Sequence, residues 1–217
     1  DALAEMTLTL WVNLRGDPAQ GDCLVSAMPS GLPLAGQGGW ELRLADDGTP
    51  QTASSVKLCF EMLQANGGAN NKQAQSSLAI NASNCWVFVA VTFGTGRVQR
   101  YYTGSETDAV SQIGRDSIFA YDLPGNAAEF RVGSANSEPT TDRTPPAWID
   151  DLSIYGQALS IEDIEIVRRR NLFAVADFDA DHDVDLDDFA RFLACATGPA
   201  VPYDPRNLPP GCLMSAD

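Results

Sequence analysis

Seven aspartates fall between Asp177 and Asp188, in the stretch ADFDADHDVDLDDFARFLACA. Crowded together without a counter-ion they repel one another, by roughly 1 kcal/mol for each pair about 4 Å apart even in water. A cation removes that repulsion. The intervals suit a hard divalent ion wrapped by oxygen in a twelve-residue loop. Asp177, Asp179 and Asp181 stand at alternate positions, the backbone carbonyl of Asp183 at the seventh, Asp185 at the ninth and Asp188 at the twelfth. Calcium is the expected ion. Val184 is expected to turn inward, and LDDFARFLACA to leave the loop as a helix that buries Phe189, Phe192 and Leu193. The competing reading, an acidic solvated linker, leaves the apolar residues directly after the loop unexplained.

The rest of the chain must carry this loop. Its centre is CWVFVAVTFGTGRVQRYYTG, from Cys85 to Gly104. Trp86, Phe88, Ala90 and Thr92 alternate with Val87, Val89, Val91 and Phe93, so both faces of the strand are largely apolar and it belongs in the middle of a sheet. The turn GTG and a second extended segment complete a hairpin. Further short strands are expected at TLTLWVN, DCLVSAM, WELRLADD, VKLCFEML, AEFRVGS and AWIDDLSIY, separated by Gly-, Pro- and Asn-rich breaks. No helical periodicity appears before Leu159, which indicates an all-β, two-sheet antiparallel sandwich. The first helix is late and short, with Ser160 as N-cap, Ile161, Ile164 and Val167 as its apolar stripe, and Arg168, Arg169 and Arg170 in the last turn, where cations oppose the helix dipole.

Composition narrows the partners. Twenty-nine acidic against fourteen basic residues give a net charge of −15, which argues against nucleic acid and anionic membranes. No apolar run approaches the roughly 20 residues that span a bilayer, and no signal peptide is visible. The five cysteines suggest an oxidising, secreted or cell-surface setting. Cys195 and Cys212 bracket the proline-rich GPAVPYDPRNLPPG and are the first candidate bridge. Cys59 and Cys85, on strands expected to be near neighbours, are the second, which leaves Cys23 as a buried free thiol.

The tryptophan-led central strand, the Tyr-x-x-Gly close of its hairpin, FRVGS (Phe130 to Ser134) and AWIDDLSIYGQALSIEDI (Ala147 to Ile164) occur in an order that resembles the laminin-G-like branch of the concanavalin A-like lectin/glucanase jelly rolls. The likeness runs from about Met6 to Val167. It implies a jelly-roll domain over residues 1–172, followed by residues 173–217 as a separate calcium-loop segment with a short helix. That segment is EF-hand-like and resembles one half of a dockerin type I repeat, which implies a cohesin-like partner. Three departures stand against it. His182 occupies the sixth place instead of Gly, only one copy is present, and Leu186 and Asp187 replace the small hydroxyl residues usual there. Because Ser215-Ala216-Asp217 echoes Val175-Ala176-Asp177, the natural chain is expected to continue into a second loop. Family members usually also have an edge strand before TLTLWVN, so the natural chain is expected to begin earlier.

The resemblance also implies that Asp150, read as lying on the same side of its strand as Leu152 and Ile154, holds a structural calcium at a buried edge. A glucanase of this fold would need two carboxylates about 5 to 5.5 Å apart, typically from Glu-x-Asp-x-x-Glu on one strand. None is found, and Glu41 stands alone in its strand. The only histidine, His182, lies in the calcium loop, which excludes a Ser-His-Asp site. No catalytic residue is assigned. The expected function is therefore a non-catalytic extracellular module that recognises a glycan or a protein, tethered by the calcium segment. A structural or adhesion spacer and a component of a polysaccharide-degrading glycoside hydrolase are the alternatives. Sugar recognition uses exposed aromatic faces flanked by polar groups. Trp40, Tyr101, Tyr102 and Tyr121 are the candidates, each with core packing as its competing role, while Trp11, Trp86 and Trp148 read as structural.

Overall fold

The computed structural model describes residues 5–28, 38–44, 51–63, 72–76, 79–119, 123, 130–134, 143–170 and 186–195. The chain divides into two compact units, Asp1–Glu165 and Ile166–Asp217. In chain order the elements are β1 (Met6–Leu14), β2 (Cys23–Ala27), β3 (Gly39–Leu44), β4 (Leu58–Leu63), β5 (Lys72–Gln75), β6 (Val87–Gly94), β7 (Val98–Ser105), β8 (Ser111–Gln112), β9 (Ser117–Ile118), β10 (Arg131–Val132), β11 (Ala147–Tyr155), α1 (Ile161–Arg170) and α2 (Leu186–Cys195). The strands form two sheets. One runs β11-β1-β6-β7-β8, with β9 also on β7; the other runs β10-β2-β3-β4-β5. Every pair is antiparallel.

Alternation decides which side chains meet between the sheets. Leu8, Leu10 and Val12 of β1 and Val87, Val89 and Val91 of β6 enter one continuous core with Leu42 of β3 and Phe60 of β4. The other face of β1 is buried as well, because all nine of its residues are. As the central hairpin requires, β6 is covered along its length and pairs on both edges. Its turn is tighter than two glycines suggest. Only Gly96 takes positive φ, followed by Arg97, while Gly94 stays extended. The Glu5 carboxylate accepts from the Thr95 amide and hydroxyl and from the Ala158 amide, tying this turn to the lead-in of α1. At the other sheet, Gly39 lets β3 come close to β2: a Cβ there would lie 2.4 Å from the Ala27 carbonyl oxygen.

Three details close the body. The Ser160 hydroxyl accepts from the Asp163 amide (3.1 Å) and donates to the Asp163 carboxylate (2.8 Å), so the expected cap forms. The Leu159 amide donates to Thr7 Oγ1 on the outer face of β1, which fixes where α1 starts. Tyr101 of β7 crosses from one sheet to the other, its hydroxyl accepting from the Phe60 amide of β4 at 2.6 Å inside the core. We predict that Tyr101→Phe, which leaves that buried amide without its acceptor, costs about 1–3 kcal/mol in chemical denaturation.

Candidate functional site

The segment 80–86 is held from both sides. Leu14 donates to the Ala82 carbonyl (2.8 Å) and Asn84 to the Leu14 carbonyl (2.9 Å); Ile80 exchanges two bonds with Val56, and Ala82 donates to Ala53. Asn84 takes positive φ, a conformation that asparagine tolerates. This segment contributes to two exposed features, one on each face of the same sheet.

The first is a cleft of about 400 Å³ at the end of β6 and β7, with Asn81, Thr103, Ser105, Asp108 and Ser111 supplying polar groups. Ile80 and Val87 add apolar surface. Among the described residues the lining is thus a mixture of hydroxyls, one amide and one carboxylate over an apolar patch, with no cationic side chain. Ser105 and Asp108 are pre-positioned, since the Ser105 hydroxyl donates to the Asp108 carboxylate (2.9 Å) and accepts from the Thr107 and Asp108 amides.

The second feature lies on the side away from the core. Register places Asn13 of β1 opposite Trp148 of β11, and Trp86 precedes β6 on the other side of β1. The Trp86 and Trp148 rings are 6.4 Å apart and tilted by 37°. Trp148 is 55% exposed on an edge strand, and Arg15 lays its guanidinium over that ring, 4.2 Å from the centroid. Asn13 is buried in this row, and its Oδ1 has no hydrogen-bond partner.

On the outer face of the second sheet, Glu41 of β3 and Glu61 of β4 are directly opposite each other. Arg43 bridges them, with Nη1 3.3 Å from Glu41 and Nη2 2.6 Å from Glu61. Arg143 joins at 3.2 Å from Glu41 and donates to the Gly21 carbonyl. All but Arg143 are buried. Such a cluster persists only because its charges cancel in place. Two thiols share this region. Burial pushes Cys59 up to about 11 and Cys23 higher still, so both stay protonated and unreactive at neutral pH.

The family model described as the concanavalin A-like lectin/glucanases superfamily (Laminin_G_3) matches residues 1–165. The chain belongs to this superfamily. Among solved structures the fold is similar to the CBM40 of Ruminococcus gnavus IT-sialidase bound to α2,3-sialyllactose, at 12% identity and TM-score 0.52 over 76% of this chain and 83% of that one. It is similar also to domain 4 of AbnA, a GH43 extracellular arabinanase from Geobacillus stearothermophilus, in complex with arabinotriose, at 14% identity and TM-score 0.50 over 77% and 68%. The binding domain of Paraclostridial Mosquitocidal Protein 1 aligns at 15% identity and TM-score 0.52, over 80% of this chain but only 38% of that one. At such identities the likeness establishes the fold. No curated protein matches the chain.

Several expectations change within this lectin/glucanase sandwich. Trp40 is buried and stacked on Phe60, Tyr101 is the core crossbar, and Tyr102 is buried opposite Ala90, so none offers a face to a sugar; Tyr121 lies outside the described residues. The indoles that reach the surface are Trp148, exposed, and Trp86, half-buried; an aromatic in an alternating strand ordinarily packs inward, which is why both read as structural from sequence. Cys59 and Cys85 are free thiols, one buried in β4 and the other exposed before β6 in the opposite sheet, so they form no bridge. Cys212 lies outside the described residues, as does the side chain of Cys195.

Asp150 does not point to a buried edge. Between Thr9 and Trp11 the β1/β11 register slips by one residue, which places Asp150 opposite Trp11 and leaves it exposed. Its Oδ1 accepts from the Asp151 amide (2.8 Å), and Asp151 takes positive φ at the bulge. Asp177, Asp179, Asp181, Asp183 and Asp185 lie outside the described residues, as does the side chain of Asp188. Among the described residues no three His, Cys, Asp or Glu side chains gather as a metal site. Helix α2 forms over Leu186–Cys195 as expected, but Phe189, Phe192 and Leu193 are exposed rather than buried.

Partial burial, and secondarily the neighbouring Asp150, raise the Asp151 carboxyl above its ordinary value. Ionising it therefore costs the folded state, a cost present above the unfolded value of about 3.9 and absent well below it. Asp151→Asn removes that cost and keeps a residue type suited to positive φ. Its melting temperature should exceed that of the natural chain at pH 7, and the gap should close as the pH falls below about 4.

Proposed function

We propose that residues 1–165 form a non-catalytic extracellular module that binds a glycan, and that the C-terminal segment is a calcium-loaded, dockerin-like tether. The cleft beside β6 and β7 carries the first part. Sugars present hydroxyl edges and an apolar face together, and this cleft offers hydroxyls, an amide and a carboxylate beside Ile80 and Val87. Its volume falls in the range usual for small-ligand sites. With Asp108 exposed and no cation among the described lining residues, it favours neutral sugar units over acidic ones. The two similar modules bound to sialyllactose and arabinotriose support a glycan ligand on this fold.

A hydrolytic role is less well supported. Glu41 and Glu61 do face each other, but both are buried and both are tied to Arg43, so neither is placed to protonate or attack a glycosidic bond. The tether reading rests on the aspartate intervals from Asp177 to Asp188. The exposed stripe of Leu186, Phe189 and Leu193 on α2 adds to it, since such a stripe calls for a covering partner, either a second loop copy or a cohesin-like protein.

Titration calorimetry against a panel of mono- to hexasaccharides is expected to detect at least one neutral ligand. Ser111→Trp, at an exposed lining position, should abolish that binding without lowering the melting temperature. A panel without a single bound sugar would refute the glycan reading. For the tether, calorimetry of the full chain at millimolar calcium should show uptake, and chelation should make the C-terminal segment more susceptible to protease. Absence of calcium uptake would end that reading.

A further inference from the structure

We propose that the row Trp86–Asn13–Trp148, with Arg15 at its end, is a second binding face, one that takes an extended polysaccharide chain by stacking its successive rings. This rests on the glycan reading and deepens it, because the face lies on the opposite side of the sheet from the cleft and has a different chemistry.

Four observations converge. Tryptophan is a costly residue to leave in water, yet Trp148 is more than half exposed and Trp86 is half-buried, whereas Trp11, Phe88 and Tyr102 of the same sheet are buried. The two ring centroids are 6.4 Å apart, a separation on the scale of the step from one sugar ring to the next in an extended chain. Their 37° tilt departs from a flat plane, so the face suits a single chain that twists along its axis better than a crystalline surface.

Polar groups frame the rings. Asn13 Oδ1, buried between the two strands that carry the indoles, lacks a donor, and a hydroxyl inserted between the rings would supply one. Arg15 is exposed, has its guanidinium carbon 4.2 Å from the centre of the Trp148 ring and has no carboxylate partner among the described residues, so its N–H groups are available to ring hydroxyls beyond the aromatic surface. The ligand class that matches is a soluble β-linked polymer of pyranoses with equatorial substituents. Such rings show C–H groups on their faces for the indoles and hydroxyls on their rims for Arg15 and Asn13.

The test uses the full chain with cello-, xylo- and manno-oligosaccharides of two to six units, and with a soluble and a crystalline glucan in parallel. Affinity for at least one series should rise about tenfold or more from the disaccharide to the tetrasaccharide, with the soluble polymer retained and the crystalline one not. Trp148→Ala and Trp86→Ala should each remove that rise at unchanged melting temperature, and Trp148→Phe should keep part of it. If both alanine variants bind the longer oligomers as the natural chain does, while Ser111→Trp abolishes binding, the second face is refuted and the glycan reading stands. If the variants instead change the oligomeric state and leave sugar affinity untouched, the indoles form a protein contact and the inference is overturned. If no variant and no natural chain binds any sugar, both readings fail together.

Discussion

Strand β1 is covered on both sides, and most of the molecule is arranged around that constraint. Its even-numbered residues fill the space between the sheets, so its odd-numbered ones must find partners on the other face. Thr7 does so by fixing the start of α1 and Trp11 by an edge-to-face contact with Phe88, while Asn13 lies opposite Trp148 in the register. A slip of one residue in β1 would exchange these sets and put Leu8 and Leu10 where Thr9 and Trp11 now lie. The core, the helix and the aromatic row are thus three readings of one register.

The bulge between Thr9 and Trp11 is where that register is allowed to break. Asp151 accepts an unfavourable backbone angle and an unfavourable carboxyl environment there, and in return Asp150 and Trp148 are placed on the open side of the edge strand. An edge strand exposed in this way is ordinarily at risk of pairing with another chain, and a bulge carrying adjacent aspartates is one of the devices that prevent it.

The strands, the hairpin and the cap at Ser160 were legible because each depends on a few neighbouring residues. Period-two alternation marked β1 and β6, and Ser160 with Asp163 marked the helix. Features that depend on register between distant strands were not. Nothing local to WELRLADD indicates that Glu41 will meet Glu61 on VKLCFEML, or that Arg43 will join them. Trp148 follows the same rule. Whether an indole in an alternating strand faces a core or water depends on whether that strand lies at the edge of its sheet, which is decided by β1 pairing with β6. The strands β8 and β9, two residues each, are too short to leave a pattern at all.

The pinning of residues 80–86 has a consequence for avidity. Asn81 in the cleft and Trp86 in the aromatic row are five positions apart on one short piece of chain that is bonded to β1 on one side and to Val56 and Ala53 on the other. Two binding elements joined by a slack linker lose part of their joint advantage to the linker's freedom, whereas elements on a fixed strut do not. A branched or folded polymer that touched both would meet them at a constant separation, and would be retained longer than either contact alone allows.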